Sequence, residues 1–214
     1  MNILSIDKTF NVNKPFRVVL NIKNDRMKTI TFLIFLFVSL VTMGQSSEGV
    51  PREWIEFNQF LKIESKVKKK FKLTASVIVD TKDKSGRAVL WARVDNKNRE
   101  VGFSDNMSDR PIRINEWNNY TIEGVIDENS KQLNFGGICI ANGKFYFDNF
   151  QLFIENNEGV LEQAEIDNSS FETRVSLGKI PNWKQVKVKN YRCFAVEDAT
   201  HGKRALLIKG EGIK

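Results

Sequence analysis

With 214 residues, the chain has room for one full domain and part of a second. Sixteen Phe and four Trp against only four Pro supply the apolar material of a packed core, which excludes a disordered chain. The formal net charge is +7, but residues 1–44 hold six basic and two acidic side chains, which accounts for +4 and leaves +3 on the rest. A surface so near balance steers phosphates weakly and speaks against a nucleic-acid partner.

In chain order, Met27 and Lys28 precede an apolar run from Ile30 to Met43, short of the roughly 20 residues needed to span a bilayer. A positive start, a short greasy centre and small residues at Thr42 and Gly44 predict a secretory signal peptide over 27–44, cleaved before Gln45 and leaving no membrane span. Residues 1–26 then read as an upstream extension from a mis-assigned start, with Met27 as the initiator. Export to the periplasm or the exterior places Cys139 and Cys193 in an oxidising compartment, where a bridge and two buried thiols are both open.

From Phe57 onward the hydrophobic period is two. The cluster Lys66, Lys68, Lys69 and Lys70 reads as a solvated strand edge, with nucleic-acid contact as the alternative. Phe71, Leu73, Ala75, Val77 and Val79 alternate with more polar residues and predict a half-buried strand. After the turn at 82–86, Leu90, Ala92 and Val94 point one way, and Arg87, Val89, Trp91, Arg93 and Asp95 the other. Tyr120 to Ile126 and Leu133 to Cys139 make two more strands, and Asn142-Gly143 is a tight-turn signal leading into a strand over 144–154. No amphipathic helix intervenes. The spacing predicts an all-β, antiparallel β-sandwich of jelly-roll type over 45–157. Residues 156–159 hold no apolar side chain and mark a boundary, with a linker at 158–162. Residues 163–214 read as an incomplete second sandwich, because two or three strands are marginal for an independent core.

Leu90 to Asp95, then Asp105-Asn106-Met107-Ser108-Asp109-Arg110-Pro111-Ile112, Trp117 and Tyr120, Phe135-Gly136-Gly137, and Phe147 to Leu152 occur in fixed order. This series resembles the galactose-binding-like, carbohydrate-binding jelly-roll module that accompanies catalytic domains of exported bacterial hydrolases, in the tail-specific protease and erythromycin-esterase-like families. Ser170-Phe171-Glu172, Trp183 and His201 to Ile208 are more loosely similar to the start of a second such module. The resemblance implies a non-catalytic accessory module, with a glycan as possible partner and a covalently linked hydrolase domain in the full-length parent. A structural spacer or protein-interaction sandwich, and the N-terminal fragment of a secreted peptidase or esterase, are the alternatives.

The residues point the same way on catalysis. A single histidine, His201, and two isolated cysteines supply neither a zinc set nor a well-supported Ser-His-Asp site, and no carboxylate pair stands out. For sugar binding, an indole can stack on the apolar face of a pyranose, while Asp, Asn and Arg match its hydroxyls. The candidates are Trp91, Arg93 and Asp95 on one strand face, with Asp105, Asn106, Asp109 and Arg110 in the following loop as a rim. The alternative is a core Trp and an internally paired corner. Asp148 is a candidate ligand for a structural calcium ion, as in related jelly rolls, or else the cap of a loop.

Overall fold

Period-two alternation becomes eleven strands in the computed structural model, which describes residues 53–82 and 84–213. The expected signal peptide and upstream extension lie outside these residues. The strands are β1 (Trp54–Lys62), β2 (Lys69–Asp80), β3 (Arg87–Asn96), β4 (Val101–Asp105), β5 (Asn118–Ile126), β6 (Ser130–Ile140), β7 (Gly143–Glu155), β8 (Leu161–Ala164), β9 (Lys184–Gln185), β10 (Tyr191–Val196) and β11 (Ala205–Gly210). They form two antiparallel sheets of a β-sandwich. Sheet A has the order β4-β3-β6-β1-β9, and sheet B the order β10-β11-β7-β2-β5, with β8 also paired to β7.

The alternation decides which face of each strand enters the core. Phe71, Leu73, Ala75, Val77 and Val79 of β2 are all buried, as are Ala88, Leu90, Ala92 and Val94 of β3. The chain keeps crossing between sheets, which is how a jelly-roll sandwich differs from a string of hairpins. The tight turn at Ala141-Asn142, where Ala141 has φ +62°, therefore carries the chain from β6 in sheet A to β7 in sheet B and closes no hairpin. β2 is flanked by β5 and β7, so the lysine run at its start enters a central strand and not an edge.

The boundary expected at 156–159 is instead the turn of the β7–β8 hairpin. Asn156 N–H donates to Val160 O at 2.8 Å, and Asn156 Oδ1 accepts from Glu158 N–H and Val160 N–H. The stretch lacks apolar residues because it is a solvent-facing turn. Residues beyond it are no second sandwich: β9 pairs with β1, and β11 pairs with β7 through Leu206↔Phe147 and Ile208↔Phe145. All these strands belong to one compact unit, Ser47–Lys214. At its centre, Trp183 packs against Phe57, Phe150, Phe171 and Phe135 with ring centroids 4.9–6.2 Å apart.

Candidate functional site

Sheet A leaves one face to solvent, and β3 sets its character. Trp91, Arg93 and Asp95 alternate with core-facing residues and stand on this outer face. Their cross-strand partners on β6 are Gly136, Asn134 and Gln132, and beyond these lie Asn58, Phe60 and Lys62 of β1. Arg93 Nε meets Asp95 Oδ1 at 2.9 Å, and Asn134 Nδ2 donates to Asp95 Oδ2 at 2.7 Å. Gln132 Nε2 donates in turn to Asn134 Oδ1. A hydrogen-bonded polar row thus runs across two strands beside the indole. Opposite Trp91 there is no side chain, and none fits: a Cβ at Gly136 would come within 2.0 Å of Phe57 O. Lys184 Nζ lies 4.3 Å from the centroid of Phe60 farther along the face. The Nε1 of Trp91 is buried and has no hydrogen-bond partner.

Of the other four candidates, Asp105, Asp109 and Arg110 are engaged with one another, and Asn106 holds the main chain of the same corner. Asp105 ends β4 opposite Ala92, whose side chain faces the core, so it stands on the other side of the sheet from Trp91. Its Oδ1 accepts Met107 N–H at 2.8 Å, and its Oδ2 pairs with Arg110, which also reaches Asp109 Oδ1 at 2.8 Å. Asn106 Oδ1 accepts Ser108 N–H at 3.2 Å. Met107, at φ +49°, plugs the core, and Ile112 closes the corner through two main-chain bonds to Ala88. This is an internally paired corner; among the described hydrogen bonds none joins it to Trp91, Arg93 or Asp95.

Burial alone would raise the Asp105 carboxyl, but hydrogen bonds from Arg110 and Met107 and the guanidinium charge bring it below its ordinary value. A carboxyl lowered in the folded state stabilises the fold above its unfolded pKa, about 3.9, and that contribution is lost as pH falls through the folded value. Arg110→Ala should therefore flatten the decline of the melting temperature between about pH 5 and pH 3. Thermal melts of both proteins across that range test this; parallel curves would contradict it.

Asp148 is fully buried although its neighbour Phe147 faces the core. A bulge, with Asn149 at φ +50°, breaks the β2–β7 register there, and the loop around Thr200 folds over the carboxylate. Its oxygens accept from Asn149 N–H, Thr200 N–H, Thr200 Oγ1 and His201 N–H at 2.6–3.0 Å. With these four donors the carboxylate caps the loop. Glu172 caps the same loop through Lys203 and Arg204 N–H, and the Arg204 bond foremost lowers its pKa against burial. His201 Nδ1 lies 3.0 Å from Ser170 Oγ. Asp148 holds the main chain of His201 and not its ring, so the three do not make the relay in which an acid orients the imidazole. Cys139 and Cys193 are buried free thiols, and burial pushes Cys193 up to about 12.

No protein-family profile matches the chain, and no solved structure matches it. Over 90 residues it is 37% identical to the uncharacterized HTH-type transcriptional regulator YbfP of Bacillus subtilis (strain 168), a stretch covering 42% of this chain and 30% of that protein. Ninety residues exceed the 52 that precede the described region, so the shared stretch includes sandwich sequence. The described residues contain no helix and hence no helix-turn-helix.

Proposed function

We propose that the chain is a non-catalytic, carbohydrate-binding accessory module of an exported multidomain hydrolase, with the outer face of sheet A as its sugar platform. One observation carries the reading: Trp91 stands on an open sheet face beside the Arg93–Asp95–Asn134–Gln132 row instead of filling the core. An indole stacks on the apolar face of a pyranose, while a row of carboxylate, amide and guanidinium groups meets its hydroxyls. The platform is narrower than the sequence suggested, because Asp105, Asn106, Asp109 and Arg110 are spent on their own corner. Asn134, which is buried, and Gln132 brace Asp95 beside the indole. A match covering 30% of a longer protein suits a module that recurs beside other segments, and a transcriptional regulator is the other host it offers.

Glycan-array binding of the full chain, compared with Trp91→Ala, tests the platform. The wild type should bind a glycan class at micromolar to millimolar levels, and the variant at least about tenfold more weakly, the cost of one lost stacking contact. Trp91 is half-buried at the surface, so its melting temperature should change little. A wild type that binds no glycan at millimolar concentration sinks the reading and leaves a structural or protein-interaction sandwich.

A further inference from the structure

The last strand of a sheet presents unpaired peptide groups along its outer side. β10 is such a strand: among the described residues it pairs with β11 alone. Two main-chain bonds show which of its groups face outward. Glu211 N–H donates to Asn190 O at 3.0 Å, so these residues form a hydrogen-bonded pair. Every second pair along the ladder, Arg192 with Lys209 and Phe194 with Leu207, repeats that pattern. Tyr191, Cys193 and Ala195 therefore turn their N–H and C=O away from β11. The Tyr191 N–H meets Val188 O there at 3.2 Å.

The outward groups of Cys193 face a cleft. Tyr191, Arg192, Cys193 and Phe194 all line a space of about 830 Å³. Successive side chains of a strand point to opposite faces, so a cleft that touches four in a row runs along the strand's edge. The turn at Leu177–Lys179 and the segment at 185–189 form its other walls. Among the described residues, Lys179, Lys187, Lys189 and Arg192 line it and no carboxylate does. Leu177 is fully exposed and Phe194 is 39% exposed, which adds apolar contacts to the charge.

We propose that this edge takes up an extended, acidic peptide segment of another protein, added to β10 as a further strand. The peptide groups of Cys193 and Ala195 supply the ladder bonds, and the cations of the cleft supply the preference for Glu or Asp. A second copy of this chain would bring the same cations against these and be repelled. A small anion would satisfy the cations and leave the ladder groups of Cys193 open. The site is separate from the sheet A platform and does not depend on sugar binding.

The test titrates the full chain with an N-acetylated, C-amidated hexapeptide of alternating Val and Glu, followed by fluorescence anisotropy and amide NMR. Saturable binding is expected, with shifts at the amides of Cys193 and Ala195. The alternating Val–Lys peptide should bind about tenfold more weakly or worse, as should the Lys187→Glu/Arg192→Glu protein. A hexapeptide that retains three Glu but has prolines at its two central positions keeps the charge and loses ladder donors, and should also weaken about tenfold. No saturation at millimolar peptide overturns the proposal. Equal affinity for the Val–Lys peptide overturns the acidic preference, and equal affinity for the proline peptide overturns strand addition. These peptide comparisons use the unaltered protein, so they stand whether or not the double variant folds.

Discussion

Trp183→Ala should lower the unfolding free energy by about 4 kcal/mol, in the upper range of buried aromatic truncations. The ring is 5% exposed and lies within 4.9–5.4 Å, centroid to centroid, of Phe57, Phe150 and Phe171. Its Nε1 also donates to Asn168 O at 3.2 Å, so truncation leaves a cavity and removes one of the two hydrogen bonds on that carbonyl, the other coming from Phe171 N–H. The location of its partners makes the result diagnostic. Phe57 and Phe150 precede the turn at 156–159 and Phe171 follows it, so the damage should spread over both halves. Urea unfolding followed by Trp fluorescence and by far-ultraviolet circular dichroism should give one transition at a lower midpoint for both probes. If residues 163–213 were a separate unit, one transition would stay at its original midpoint.

Asp148→Ala should cost about 3 kcal/mol or more, because it strands several buried donors at once. The carboxylate accepts from Thr200 N–H at 2.6 Å, His201 N–H at 2.8 Å, Thr200 Oγ1 at 3.0 Å and Asn149 N–H at 2.7 Å, and it has no exposed surface. Without it, the loop around Thr200 keeps the Glu172 cap on Lys203 and Arg204, the Ser170–His201 contact and the Trp117–Asp198 bond, none of which satisfies the freed donors. Faster tryptic cleavage after Lys203 or Arg204, together with the lower urea midpoint, would identify the loop as what the acid holds. An unchanged cleavage rate alongside lost stability would show that the cost arises elsewhere.

The sequence by itself determined the all-β class and the course of the long strands. β2, β3, β5, β6 and β7 are each legible because alternation over nine or more residues buries one face and leaves the other outside. For the same reason Trp91, Arg93 and Asp95 could be placed on one outward face. β4 was hidden: Val101–Asp105 is an exposed edge strand with no inward apolar series to betray it. β9, two residues long, is a strand only because it pairs with β1.

What tertiary structure alone decided is everything that depends on partners distant along the chain. Nothing in Asn156 to Gly159 distinguishes a hairpin turn from a linker, since both are polar and solvent-exposed; the difference lies in β8 pairing back onto β7, and in β11 joining β7 farther along. The split of the seven candidates has the same origin. Asp105 and Arg110 are five residues apart, and only the backbone path through Met107 at positive φ turns them toward each other. Asn134 and Gln132 join the polar row of Asp95 because β6 lies beside β3, a neighbour relation that period-two patterning does not encode. Asp148 looked like a lone strand acid because its four donors come from Asn149 beside it and from a loop some fifty residues later. Local alternation is set by which side chains avoid water, and that is written residue by residue. Register between strands, and the bonds across it, follow from which surfaces meet once the sheets close over a shared core.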